Sequence, residues 1–238
     1  MSRSRVLFVA LACMACEGAV GPAGARGPEG PAGAPGVDGV DGADGAPGED
    51  GIDAGVLCEL AEGVKGELSI TNPLIESCDL HFTVFVSSSR HAGDFGGLAE
   101  GDAICQARAM EAGLEGRYRA WLGNGTVAPL FTFYGDIPYR LVDGTQVSLD
   151  TDGLFDRELD VAIDLDETGM RVLGEEFVWT GVFQDGTEWG LHCEGWTSAD
   201  PKVQGHNGRT NRSNDDWTSH TNRACDLEQR LYCFEQQG

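Results

Sequence analysis

Between residues 18 and 51 a glycine stands at every third position, twelve times without interruption. Three polyproline II strands wound around one axis leave room there for a hydrogen atom only, so they require this period. Prolines occupy the other positions of several triplets, at Pro22, Pro28, Pro31, Pro35 and Pro47. The segment is predicted to form either one strand of a three-chain helix or a disordered single-chain spacer, since Gly-, Pro- and Asp-rich chains also resist folding. Either form reaches roughly 110 Å at about 3.1 Å per residue.

This glycine period resembles the collagen-like stalks of bacterial surface proteins. The resemblance implies a homotrimer assembled through the stalk, which with its flanking residues is assigned to residues 16–53. Gly36 lies near the middle of the repeat.

The first fifteen residues have the layout of a secretory signal peptide. Arg3 and Arg5 precede an apolar run at residues 6–15, and ten apolar residues are too few to span a bilayer. Ala15 followed by Cys16 resembles the bacterial lipobox, which implies acylation of Cys16 and a secreted protein held on the outer membrane or cell surface. Cys13 is a second candidate processing site, and secretion without an anchor is the alternative.

The net charge limits the classes of partner, and the cysteine pattern indicates how the cysteines are used. Sixteen Lys and Arg against 39 Asp and Glu give a net charge of -23, so nucleic acids and other polyanions are not expected to bind. The eight cysteines show no CxxC pair beyond residue 16, which favours disulfides over a zinc ribbon. Cys58 and Cys78 bracket a connector at residues 54–80 and are predicted to pair within the chain, with a link between chains as the alternative.

Residues 81–238 are long enough for one domain with its own core. Alternating β-branched and aromatic residues predict a strand at 81–86, and the 3.6-residue period of Ala103, Ala107 and Met110 predicts a helix at 100–112 that ends at Gly113. Short strands are expected at 118–122, 178–183 and 230–234. This domain is therefore predicted to be α+β with much irregular loop.

Several motifs carry a second resemblance. The sequence GDAICQARA at residues 101–109, RYRAWL at 117–122, VWTG at 178–181, CEGW at 193–196 and RLYC at 230–233 resemble endostatin. The same motifs, in the same order along the chain, are also similar to those of a bacterial surface-lipoprotein domain of unknown function. The resemblance implies a C-type-lectin-like fold and two nested disulfides, Cys105 with Cys233 and Cys193 with Cys225.

A lectin-like fold makes calcium or sugar binding the first site to consider, but the sequence lacks the Glu-Pro-Asn and Trp-Asn-Asp motifs of calcium-dependent lectins. An acidic tract is a candidate calcium site or a solvated loop. It comprises Asp143, Asp150, Asp152, Asp156, Asp160, Asp164 and Asp166. Four tryptophans form either a sugar-stacking face or part of the core, namely Trp121, Trp179, Trp196 and Trp217.

Other reactive side chains give weaker indications. His81 and His91 do not reproduce the His-x-His of the endostatin zinc site, and His192, His206 and His220 are far apart in sequence. Residues 87–91 place three serines beside Arg90 and His91, without the frame of a nucleophile elbow.

The sequence therefore predicts a non-enzymatic, surface-displayed structural or adhesive protein without a cofactor, whose partner is a glycan or matrix protein. The alternative is a glycan- or calcium-binding lectin whose heads are clustered on a trimeric stalk.

Overall fold

The computed structural model of the chain describes residues 24–33 and 53–237. Residues 24–33 are exposed and contain neither helix nor strand, and the four glycines in this stretch have open space where a Cβ would stand. The predicted signal peptide, Cys16 and the rest of the glycine repeat lie outside the described residues. In the part of the chain that is described, no helix is both long enough and apolar enough to cross a bilayer.

Residues 53–237 belong to one compact unit of mixed α and β structure. Its helices are α1 (Ala54–Glu62), α2 (Pro73–Ser77), α3 (Leu98–Ala112) and the single turn α4 (Cys193–Trp196). Its strands are β1 (Phe82–Val86), β2 (Arg117–Ala120), β3 (Tyr139–Leu141), β4 (Gln146–Ser148), β5 (Phe177–Trp179), β6 (Gln204–Arg209), β7 (Thr221–Ala224) and β8 (Arg230–Gln236).

The eight strands make one sheet in the order β4-β3-β1-β8-β5-β6-β7, and β2 also pairs with β8. Strand β1 lies antiparallel to β8, with Val84 opposite Phe234, and parallel to β3, with Phe82 opposite Tyr139. The β-branched and aromatic sequence of β1 suits this position, because nearly all of its side chains are buried between neighbours. The first and last strands of the head therefore form the centre of the sheet.

Helix α3 covers one side of β2 and β8. It buries Gly101, Cys105 and Ala109 along one face, and it ends at Gly113, whose φ of 76° is the left-handed conformation that glycine adopts without steric cost. Small residues on the inner face let the helix approach closely enough for Cys105 to bond Cys233 of β8.

The expectation of disulfide bonds is confirmed. The structure contains Cys58–Cys78, Cys105–Cys233 and Cys193–Cys225. The same three pairs are expected from the sequence, and Cys58–Cys78 lies within one chain. The last four cysteines are fully buried in a core cluster with Trp179 and Trp196.

The connector packs onto the head. Ala61, Ile75 and Leu80 join the larger core cluster, and the Lys65 ammonium lies 2.7 Å from the buried Glu235 carboxylate of β8. The predicted strand at 178–183 is shorter than expected: β5 ends at Trp179, because Gly181 turns the chain at a φ of 69°. The predicted helix at 100–112 begins two residues earlier, at Leu98.

Turn α4 is left-handed, since all four residues of Cys193–Trp196 have φ between 51° and 74°. For residues other than glycine this conformation costs about 1–2 kcal/mol each. The disulfide at Cys193 and the burial of the Trp196 indole hold the turn in place.

Candidate functional site

The four tryptophans considered as a sugar-stacking face are all fully buried. The indole NH of Trp121 donates to Thr218 Oγ1 at 2.7 Å, and that of Trp196 donates to the Gly123 carbonyl at 2.7 Å. All four rings are packed in the core, and the indole NH groups of Trp121 and Trp196 are satisfied internally, whereas the buried Nε1 of Trp217 has no hydrogen-bond partner. The stacking interpretation is therefore wrong for these residues, and they shape the core instead.

The acidic tract does not converge on a cation site. Among residues 24–33 and 53–237, no three His, Cys, Asp or Glu side chains are arranged to hold a metal ion. Some of these carboxylates cap local turns: Asp143 accepts from the Thr145 NH at 2.9 Å, and Asp166 accepts from the NH groups of Thr168 and Met170. The hydrogen bonds from Thr145 lower the pKa of the Asp143 carboxyl.

The histidines occupy separate environments. His206 is buried, with Nδ1 2.6 Å from Asn222 Oδ1 and Nε2 3.0 Å from Ser219 Oγ, and burial lowers its pKa. The backbone NH of Gly195 donates to Nδ1 of His192 at 2.7 Å. Both ring nitrogens of His206 and Nδ1 of His192 therefore have partners within the fold, and neither ring belongs to a metal-holding group among the described residues.

The serine-rich segment brings one nucleophile close to one base. Ser89 Oγ lies 2.9 Å from His91 Nε2, and burial lowers the pKa of that imidazole. No described hydrogen bond orients Nδ1 of His91 with a carboxylate, and the Ser88 hydroxyl donates to Glu167. The pair lacks the third group that aligns the base in a catalytic triad.

An exposed aromatic residue, Tyr134, lines two surface clefts. It follows a short 3-10 turn, Pro129–Phe131, and its side chain is 67% exposed. Phe133 anchors the loop, because its buried ring packs against Trp121 at 5.2 Å between ring centres and against Phe234 at 5.7 Å. Gly135 follows at a φ of 147°, where a Cβ would stand 2.7 Å from the Phe82 ring.

Hydrogen bonds fix the direction of Tyr134. Its backbone NH donates to Gln236 Oε1 at 3.4 Å, and its hydroxyl donates to the Phe131 carbonyl. The ring is thus held on a rigid base, which lowers the entropy lost when a ligand packs on it.

One side of Tyr134 opens into an acidic cleft of about 700 Å³. The Asp136, Asp150 and Asp152 carboxylates line it, together with Phe155 and the connector residues 66–69. The Ser69 hydroxyl donates to Asp136 Oδ2 at 2.7 Å, and Asp150 Oδ1 accepts from the Gly153 NH at 2.9 Å. Each of these two carboxylates keeps a second oxygen free of those bonds, and such oxygens accept hydroxyl protons. We call this surface the acidic cleft.

The other side of Tyr134 borders a cleft of about 530 Å³ that contains cationic and amide side chains. Arg119 lies there with Nε 3.2 Å from Asp102 Oδ2 and Nη1 3.1 Å from the Thr132 carbonyl. Arg117, Thr132, Gln236 and Gln237 also line this cleft. Tyr134 therefore stands between a surface of acceptors and a surface of donors.

This arrangement suits a ligand with an apolar face and a rim of hydroxyl groups. An aromatic ring packs on CH groups, carboxylates accept from hydroxyls, and guanidinium groups donate to ring and hydroxyl oxygens. Volumes of this size lie in the range of small-molecule sites. Of these residues, the sequence predicts only Asp150 and Asp152 as candidate ligands; the signal for Tyr134 is the aromatic-rich loop FTFYG at residues 131–135.

Comparison with known families gives one match. Residues 131–213, about a third of the chain, match the model of a family described as a protein of unknown function (DUF1554). The match begins at the Tyr134 loop and includes Asp136, Asp150 and Asp152 of the acidic cleft. No curated protein matches the chain.

Proposed function

We propose that this protein is a surface-displayed adhesin whose head binds extracellular glycans at Tyr134. The observation that carries the proposal is a rigidly held, exposed aromatic ring between a carboxylate-lined cleft and an arginine-lined cleft. Neutral sugars match that combination better than polyanions do, because the protein carries a net charge of -23.

The fold proposed for the head is C-type-lectin-like. Two features support it: the first and last strands pair at the centre of the sheet, and nested disulfides join α3 to β8 and Cys193 to Cys225. Because the acids of the described residues do not converge on a metal, sugar binding in this proposal is independent of calcium.

Display is proposed to depend on the segments before the head. Cleavage before Cys16 and acylation of that cysteine would anchor the protein in a bacterial membrane, and the glycine repeat would hold three heads away from the surface. Three heads on one stalk raise the avidity for a multivalent glycan without any new contact. The proposal includes no catalytic step.

The test is a glycan array probed with the full chain, followed by calorimetry with the sugar that binds best. Tyr134→Ala is expected to weaken binding of one head about tenfold, because stacking on an aromatic ring contributes roughly 1 kcal/mol beyond the area it buries. Phe131→Ala is the matched control, since Phe131 is 63% exposed in the same loop but lines neither cleft.

Three results would count against the proposal. An array without any bound sugar would refute glycan recognition, and equal losses for Tyr134→Ala and Phe131→Ala would refute the assigned position. Abolition of binding by a calcium chelator would refute the calcium-independent mode. Retention of at least the wild-type affinity in Phe131→Ala is expected.

A further inference from the structure

Helix α1 carries an apolar surface that the rest of the described chain leaves uncovered. Val56, Leu57, Leu60 and Val64, the last just beyond the helix, are 48%, 38%, 62% and 43% exposed. These four residues are called the α1 seam. Apolar side chains adjoining one another at a helix surface commonly mark a contact with another chain.

The seam is distinct from the face that binds the head. Cys58 and Ala61 point inward, where Cys58 is bonded to Cys78 and Ala61 is buried. Glu59 and Glu62 lie on a third side, where they line a groove against the head. A nine-residue helix that only had to cover the head would need one apolar face, yet α1 has two.

The spacing of the seam fits packing between helices. Leu57, Leu60 and Val64 are separated by three and then four residues, the spacing of the contact positions in coiled coils. The Cys58–Cys78 disulfide ties α1 to the end of the connector, and the ion pair of Lys65 with Glu235 of β8 ties the connector to the head, so the seam is presented in a fixed orientation.

The position of α1 in the chain identifies what covers the seam. The last glycine of the repeat, Gly51, is three residues before Ala54, the first residue of α1. Three residues span at most about 11 Å. A triple helix ending at Gly51 would therefore bring the α1 helices of three chains within reach of one axis.

We propose that the α1 seams of three copies of this chain pack against one another and set the register of the collagen-like stalk. The inference rests on the trimeric stalk of the proposed function. Alignment of three chains is the unfavourable first step of triple-helix formation, and a helical contact at the end of the repeat raises the effective concentration of the strands.

The test uses the full chain and the variant Leu57→Glu/Leu60→Glu, with Leu173→Glu as the matched control. Leu173 is 80% exposed and is not part of α1 or of the seam, so this variant measures the effect of an added surface charge. Light scattering gives the mass, and circular dichroism follows the triple helix during heating and cooling. Near-ultraviolet circular dichroism verifies that each head is folded.

Wild type and Leu173→Glu are expected to remain trimeric above the temperature at which the triple-helix signal is lost, and the seam variant to be monomeric there. On cooling, the seam variant should regain the triple helix at least about tenfold more slowly. A wild type that becomes monomeric as soon as the triple helix melts, with equal refolding of all variants, would overturn the seam but leave the stalk intact. A monomer without triple-helix signal at any temperature would overturn both.

Discussion

The two disulfides of the head are predicted to differ in their contribution to stability. Cys105–Cys233 closes a separation of 128 residues, and Cys193–Cys225 lies inside it with a separation of 32. With the inner bridge intact, the outer loop is shortened to roughly 96 residues, and chain entropy then gives about 4.7 kcal/mol for the outer bridge and about 3.7 kcal/mol for the inner one. The expected difference in the free energy of unfolding is about 1 kcal/mol.

The comparison uses the double variants Cys105→Ala/Cys233→Ala and Cys193→Ala/Cys225→Ala. All four cysteines are fully buried, so each double variant loses two buried sulfur atoms and the packing penalties largely cancel. Urea unfolding without reductant, followed by tryptophan fluorescence, measures the difference. At a slope of about 2 kcal/mol per molar urea, the midpoints should be separated by about 0.5 M.

The refuting result is an inner-bridge variant that is equally or less stable than the outer-bridge variant. It would mean that the left-handed turn at Cys193, rather than loop closure, determines what these bridges contribute. Loop closure requires that the variant without Cys193–Cys225 unfold at the higher urea concentration, by more than the experimental error.

Two further predictions concern anchoring and pH. In a bacterial host the mature protein should incorporate labelled fatty acid and fractionate with membranes, and Cys16→Ser should lose both properties; labelling that only Cys13→Ser abolishes would place the anchor at Cys13. Burial raises the pKa of Tyr139 to about 12 and that of Tyr232 well above its usual value. A tyrosine whose pKa is higher in the folded than in the unfolded state favours the folded state while it stays protonated. This contribution to the free energy of unfolding should be fully present below about pH 10, the unfolded pKa, and should be lost as pH rises through about 12. Ultraviolet absorbance of tyrosinate should rise together with unfolding, and full ionisation in a folded head would contradict the burial argument.

The helices and strands that can be predicted from the sequence are those whose hydrophobic period matches the face that they bury in the fold. Helix α3 repeats small and apolar residues at helical spacing, and β1 alternates β-branched and aromatic residues, so both are recognisable. Strand β6 reads QGHNGR and has no such alternation; it is a strand because β5 and β7 pair with both of its edges. Helix α1 is hidden by Gly55 within it, and the Asp53 side chain caps it.

The candidate site was harder to predict for a related reason. Phe133 and Tyr134 are adjacent in the chain and both are aromatic, yet Phe133 is buried and Tyr134 is exposed. The loop has no regular hydrophobic period. The contacts of the Phe133 ring with Trp121 and Phe234, rather than position in the sequence, therefore determine which of the two side chains points inward. The position of Asp136 in the site also depends on a tertiary contact, because its carboxylate accepts from Ser69 of the connector, 67 residues earlier in the chain.

The bond between Ser69 and Asp136 has a mechanical consequence. Ser69 also forms a backbone bridge with Asp136, and β1 lies parallel to β3, which begins a few residues after the Tyr134 loop. If the head binds a ligand at Tyr134 and is anchored through its stalk, as proposed, this contact would give tension a short route from the loop through Asp136 and Ser69 into the connector. Much of the disulfide-bonded sheet would then lie outside that route.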